Sequence, residues 1–332
     1  MKKILWIGDL HVTQKDDESL QRLFARILDM QSSHDAVILA GDIYNDHGVS
    51  HARVQETIMD FFSKLAPPNS QHRDVFNIEG NHDKTSDGAH SSLTVHLSQN
   101  VSQILEAYGA STIGDGIALV PYYRDDAHFV AAVQKMAAKG AKIIFCHQEF
   151  KGAMYSASVK SESGVDPSLF ADLTFICGHF HNSHVAKDSM PRIVYPGTPR
   201  WLTKSDANQD KGLWSFTIEN GILLNVEFKS SADIVPAYWD FNANDSFEMP
   251  HRVKKDDKVY INYSGDSESD FLSKYSNYKI ILRSDKKDLA PEEKVVSESK
   301  GIVNSISDYI DQGTFRTEKP VLLQEILRRV GQ

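Results

Sequence analysis

Gly80-Asn81-His82-Asp83 follows an apolar run at residues 75–78 and precedes a polar segment that carries glycine. An amide oxygen and an imidazole side by side just past a strand can face one cleft, the first as a hard metal ligand and the second as a proton donor. Alone, such a tetrapeptide is an ordinary turn. Four other apolar runs in the chain end in the same way. Residues 4–7 lead to Asp9 and His11, residues 36–40 to Gly41-Asp42, residues 142–146 to His147, and residues 173–177 to Gly178-His179-Phe180-His181.

Between these runs the apolar period changes from continuous to helical. Leu20, Leu23, Phe24, Ile27 and Leu28 share one face of a helix expected over residues 17–31, and a second helix over 50–65 stops before Pro67-Pro68. A third is expected around 92–108. A fourth is marked by Phe129, Val133, Met136 and Ala137 and ends at Gly140. Residues 117–120 and 193–195 read as further strands. Strands alternating with helices define an α/β core, whose ligand site lies beyond the carboxyl ends of the strands. All the candidate ligands stand at those ends.

The 332 residues, with a net charge of −9, suit a substantial core and argue against a stand-alone nucleic-acid binder with a basic face. Divalent ions in an acidic cleft would reverse the local field. No apolar run reaches the ~18–20 residues that span a bilayer, so a cytoplasmic protein without membrane contact is expected. Cys146 and Cys177 both end apolar runs and are expected as buried, reduced thiols.

After about residue 230 the texture changes. Short strands are expected at 259–263 and 278–282 with a helix at 267–275 between them, which makes a small second α+β unit. The tail carries two amphipathic stripes: Ile302, Ile306, Tyr309 and Ile310, then Leu322, Leu323, Ile326, Leu327 and Val330. They pack on their own protein or receive a partner helix.

In an extended segment, residues two apart project to the same side, so Asp9 and His11 can converge on one ion and His179 and His181 can reach a shared cleft. Asp42 can bridge two ions, with Asn81 and His147 as further oxygen and nitrogen ligands. This donor set suits Mn²⁺, Fe²⁺ or Zn²⁺ better than Ca²⁺. Two ions about 3.5–4 Å apart hold a phosphate and lower the pKa of a water, which is the chemistry of phosphoester hydrolysis. His82 leans toward the substrate as proton donor, its ring oriented by Asp46 or Asp83. His47 and His184 are ordinary residues or support the ligands.

With its DxH, GD, GNH, H and GHxH segments in this order, the chain resembles the calcineurin-like metallophosphoesterases. Within them it resembles the SbcD-type nuclease subunit of recombination and repair complexes, compact phage versions included. That closer likeness rests on residues 145–153, on Tyr195-Pro196-Gly197-Thr198-Pro199-Arg200, and on the small unit and helical tail that follow. Val12-Thr13 and Asn45 depart from the commoner pattern, and no ligand is lost.

The resemblance implies a β-sandwich flanked by helices over 1–230, a small α+β capping domain over 231–289 and a helix-loop-helix docking tail over 290–332. It implies one ion on Asp9, His11, Asp42 and His181, a second on Asp42, Asn81, His147 and His179, and His82 as the catalytic histidine. It further implies Mn²⁺, with Mg²⁺, Fe²⁺ or Zn²⁺ as substitutes, and DNA as substrate for exonuclease and endonuclease cleavage. The expected partners are an SbcC-like coiled-coil ATPase on the terminal helices and a second copy of the chain on the helices after Asp42 and Asp83. The competing readings are a phosphoesterase acting on a small phosphodiester, a nucleotide or a phosphoprotein, and a scaffold that has lost catalysis.

Overall fold

The computed structural model describes residues 1–15, 18–47, 51–66, 74–84, 103–104, 110–155, 159–187 and 191–284. The chain divides into two units, Met1–Arg283 and Ser284–Gln332. The expected tail over 290–332 lies outside the described residues, as does the helix expected after Asp83.

Two six-stranded sheets face each other. The first runs in the order β12(Ile222–Ser230), β11(Gly212–Glu219), β1(Lys2–Ile7), β2(Ala36–Leu39), β3(Asp74–Asn77) and β4(Gln103–Ile104). Strands β1 to β4 are parallel, and the β11–β12 hairpin adds antiparallel to β1. The second sheet runs β5(Ser111–Gly114), β6(Ile117–Val120), β7(Ile143–His147), β8(Thr174–Gly178), β10(Arg192–Tyr195) and β9(His184–Lys187). Its centre, β6 to β10, is parallel.

Alternation of side chains divides the core into layers. Ile4, Trp6, Ile38 and Phe76 of the first sheet meet Leu119, Phe145 and Ile176 of the second in one buried cluster. Leu5, Ile7, Val37, Leu39 and Val75 point the other way, onto α1(Glu18–Gln31) and α2(Ala52–Leu65). On the far side of the second sheet, Val120, Ile144, Phe175 and Cys177 receive Phe129, Val133 and Met136 of α3(Asp126–Ala138). The central strands are therefore apolar on both faces, which is why they read as unbroken runs. Each large side chain buried there is worth about 1.5–3 kcal/mol.

Helix ends follow local chemistry. The Asp125 carboxylate caps α3 by accepting from the Ala127 N–H, and Gly140 beyond its end has φ +92°. The helix expected over 92–108 is corrected at Gln103–Ile104, which pair in parallel with Phe76 and Asn77 as a strand. The exposed sheet edge recruits them, overriding a helical pattern. The rest of that segment lies outside the described residues.

The third sheet has the order β13(Tyr238–Ala243), β14(Lys258–Tyr263) and β15(Lys279–Ser284). One face packs on α4(Glu268–Lys274) through Val259, Ile261, Tyr263 and Phe271. The two cysteines are free and buried, with Cys146 Sγ and Cys177 Sγ 3.4 Å apart on paired strands. Among the described residues, no helix is long and apolar enough to cross a membrane.

Candidate metal centre

All five strand ends converge where the two sheets meet. After β1, the backbone at Gly8 runs against Gly197, whose carbonyl oxygen would stand 2.1 Å from a Cβ at position 8. Arg200 then fixes the loop: its Nε and Nη2 donate to the Leu10 carbonyl at 3.0 and 2.9 Å, and Nη2 also to that of His11 at 2.8 Å. The His11 N–H donates to the Asp42 carbonyl and the Val12 N–H to that of Ile43, which binds the first loop to the second.

Asp83 joins the second loop to the third. One carboxylate oxygen accepts from the Ile43 and Tyr44 N–H groups at 2.9 and 3.3 Å, and the other from Gly80 N–H at 2.9 Å. Its ring-orienting role is thereby corrected. The group on His82 Nδ1 is the Asn45 carbonyl, at 2.5 Å, and neither Asp83 nor Asp46. Glycine at 80 is obligatory, since a Cβ there would lie 2.1 Å from Asp42 Oδ1.

The premise of extended backbone is also corrected. His11, Asp42 and His179 have φ of +44°, +47° and +85°. These are left-handed conformations costly for residues with a side chain. Convergence comes from sharp turns held by backbone hydrogen bonds rather than from strand alternation. Asp9 and His11 nevertheless meet, together with His181; a second group joins Asp42, His147 and His179, and a third His11, Asp42 and His82, with ligand atoms in each group within 4.8 Å of one another. Asn81 joins the second group, its Oδ1 lying 2.9 Å from both His147 Nε2 and His179 Nδ1. Every candidate ligand named from the sequence is thus in one cluster, and His82 shares it through the third group with His11 and Asp42.

The donor chemistry fits a pair of cations. Asp9 Oδ1 is buried and accepts no hydrogen bond. His147 Nδ1 faces the Ala40 carbonyl at 2.8 Å and so carries a hydrogen, while Nε2 points at two acceptors, Asn81 Oδ1 and, at 3.4 Å, Asp42 Oδ2. His181 Nε2 and His11 Nε2 face each other at 3.2 Å. Such arrangements of lone pairs call for a positive charge among them.

The titration behaviour agrees. Burial pushes Asp9 up to about 7 and Asp83 to about 7. Burial holds His11 down at about 3 and His179 at about 4, and lowers His181, so all three present neutral, ligating nitrogens. Burial would depress His147 too, but the carboxylates of Asp42 and Asp9 overcome it and lift the ring to about 10. Asp42, despite its burial, is held far below the carboxylate range by His147 and His11. A proton on His147 Nε2 thus stands where the field of two carboxylates favours a cation.

Residues that sequence reasoning left without a role support the ligands. Lys211 Nζ donates to the His181 carbonyl at 2.6 Å and pairs with buried Asp206 at 2.7 Å. Glu149 accepts from Tyr155, Ser161 and Ser163 hydroxyls and keeps its other oxygen 3.9 Å from His179 Nε2. His47 stacks on His82, with ring centroids 3.8 Å apart, and reaches the Asn81 carbonyl at 3.0 Å. His184 serves backbone: its Nε2 accepts from Met154 N–H and its Nδ1 meets the Asn182 carbonyl. Sequence reasoning had offered a supporting role for His47 and His184, and Glu149 and Arg200 had a signal only as members of the segments 145–153 and 195–200.

The cluster opens through His11, His82 and His181 into a cleft of about 590 Å³ that continues past Lys15 and Trp201 to Tyr238 and Lys258. A fold of two sheets with acidic and imidazole ligands on five loops defines a metal-dependent phosphoesterase site.

Over residues 1–217 the sequence matches the Calcineurin-like phosphoesterase superfamily domain, and the chain belongs to that superfamily. It is similar to "Putative phosphoesterase 078R" of Invertebrate iridescent virus 3, with 26% identity over 211 residues, 59% of this chain. That match spans 56% of the viral protein, little more than half its length. Among solved structures, "GAP50 the anchor in the inner membrane complex of Plasmodium" aligns with TM-score 0.47 at 10% identity, over 70% of this chain and 86% of that one. A hypothetical protein from Thermus thermophilus aligns with TM-score 0.41 at 13% identity, over 69% of this chain and 98% of that one.

Proposed function

We propose that the chain is a Mn²⁺-dependent DNA nuclease, the catalytic subunit of an SbcCD-like repair and recombination complex, that hydrolyses phosphodiester bonds with two metal ions. The observation that carries the metal chemistry is the linking of the ligand groups through His11 and Asp42, with Asp9 Oδ1 left without a hydrogen bond. Asp9, His11, Asp42 and His181 would hold one ion and Asp42, Asn81, His147 and His179 the other. Bound there, a divalent pair supplies Lewis-acid polarisation of the phosphate and a water of lowered pKa.

The chain's own residues do the rest. Arg200 and Asp83 fix the loops, so the donors are set before substrate arrives. Asn45 accepts from His82 Nδ1, which leaves Nε2 to give a proton to the departing oxygen. The likeness of residues 145–153 and 195–200 to SbcD-type subunits supports DNA over other esters.

The test is digestion of linear double-stranded DNA by the full chain in Mn²⁺, in Mg²⁺ and in EDTA, beside a chromogenic phosphodiester. Mn²⁺-dependent loss of DNA is expected. Turnover of the ester with DNA untouched would replace the reading with a phosphoesterase acting on a small phosphodiester, a nucleotide or a phosphoprotein. Docking of an SbcC-like ATPase on the segment 290–332, and a homodimer using α2, complete the proposal. Removal of residues after Pro291 should abolish co-purification with such an ATPase while nuclease chemistry remains.

A further inference from the structure

The ring of His82 is held at one atom and along one face. Its backbone N–H donates to Asp42 Oδ1 at 2.8 Å, and Nδ1 meets the Asn45 carbonyl at 2.5 Å. A single hydrogen bond places Nδ1 but leaves the ring free to tilt about it, because the outer torsion of histidine is soft. Neighbouring rings remove that freedom. His11 stands nearly perpendicular to His82, with centroids 4.7 Å apart and planes at 81°, whereas His47 lies almost flat on it, at 3.8 Å and 25°.

His47 is itself tethered. Its Nδ1 faces the Asn81 carbonyl at 3.0 Å and so donates to the peptide that joins Asn81 to His82. Two further facts set this residue apart from the groups around it. His11, Asn45, His82 and His181 line the cleft of about 590 Å³, and His47 does not, so it meets nothing bound there. His47 is also exposed, in the turn that follows Tyr44, so the core does not require it. An imidazole that fills no core and lines no cleft, yet lies flat on another imidazole, acts on the ring beneath it.

Resting on the hydrolytic reading of the metal centre, we infer that His47 is the positioning residue of the proton donor, its stacked ring holding the plane of His82 so that Nε2 stays aimed at the departing oxygen. As the P–O bond breaks, its electron pair stays on that oxygen, which takes the proton from His82 Nε2. His47 exchanges no proton. It acts through a ring face on the donor rather than through a ligand on the metal. Proton delivery needs donor and acceptor within about 2.6–3.2 Å, so a ring that swings loses turnover while substrate binding is kept.

The experiment compares bis(p-nitrophenyl) phosphate with diphenyl phosphate on the full Mn²⁺-loaded chain. Nitrophenoxide departs with little help, whereas the more basic phenoxide needs the proton. His47→Ala should lower kcat about tenfold on diphenyl phosphate and less than about twofold on the nitrophenyl ester, with KM and metal content kept. His47→Phe retains a flat ring and loses the hydrogen bond to Asn81, and it should restore most of the turnover. In a His82→Ser background, His47→Ala should cost nothing further. On the full chain in Mg²⁺, carbon relaxation of the His82 ring should report larger picosecond-to-nanosecond motion in His47→Ala than in the parent. Thermal melting within a few degrees of the parent certifies each fold. Equal losses on the two esters, His47→Phe as slow as His47→Ala, additive losses beside His82→Ser, or unchanged ring motion would each overturn the inference and leave the hydrolase standing. No turnover of either ester or of DNA by the parent would remove the hydrolytic reading, and the positioning role with it.

Discussion

The cluster around Asp42 is held by backbone hydrogen bonds to buried side chains, whereas the third sheet carries cations on long side chains over tyrosine rings. At the cluster, Arg200 grips two carbonyls and Asp83 three N–H groups, and three residues with side chains are kept in left-handed turns. On the sheet, Lys258 and Arg283 touch rings alone among the contacts described. The difference separates two kinds of construction. Positioning of reacting atoms tolerates little displacement, so it is built into buried loops. A surface sets no such demand, and long side chains there keep more of their rotamer freedom.

Substitutions at the cluster should therefore strike turnover. The largest effect is expected for Asp42→Ala, which removes the carboxylate shared by the groups of His11 and His82 and of His147 and His179. Metal content by mass spectrometry should fall and activity should drop to about a thousandth or less. Full metal occupancy in that variant would break the contrast at its centre. His82→Ser should keep both metals and lose turnover by about a hundredfold or more. Metal loss in this variant would move His82 into the ligand set with His11 and Asp42.

Asp206→Asn probes the joint between the two regions. Asp206 sits in the turn Lys204–Asp206, and Asn208 just beyond it donates to the Tyr238 and Asp240 carbonyls of the third sheet. Leaving Lys211 buried without its carboxylate should cost about 3–5 kcal/mol in denaturant unfolding. Although burial pushes Asp206 up, Lys211 holds it below the ordinary carboxylate range. Its stabilisation is thus present above about pH 4 and lost as pH falls through the lowered folded value. The gap between parent and variant should shrink on acidification; a gap constant from pH 7 to pH 3 would deny the ion pair. The smallest effect is expected for Glu149→Gln, about tenfold in metal affinity by titration, since among the candidate ligands it approaches His179 alone, at 3.9 Å.

The legible parts of the sequence were those where one physical demand acts alone. Strands β1, β2, β3, β6, β7 and β8 are buried on both faces and read as continuous apolar runs, and the ligands just past their ends read as chemistry. The hairpin β11–β12 went unread because Leu224, Val226 and Phe228, on the overhanging edge strand, remain 53, 43 and 40% exposed. Their pattern answers to no buried face. Strands β5 and β9 are four residues each, too short for a period to emerge. The site was legible by residue type and misread in geometry. Nothing in Asp-Leu-His announces a left-handed histidine, and the tie between Asp83 and two distant loops is set by tertiary contact alone. Arg200 shows the same limit, since its partners lie about 190 positions earlier in the chain.

The left-handed turns at His11, Asp42 and His179 also set backbone comfort against chemistry at three positions. Each would be relieved of strain by glycine or asparagine, at the loss of a donor. A descendant of this chain freed from its chemistry would drift toward those two residues at positions 11, 42 and 179 and become more stable by doing so. Retention of histidine and aspartate there is a running cost, and its abandonment would be readable in sequence alone as the mark of a retired enzyme.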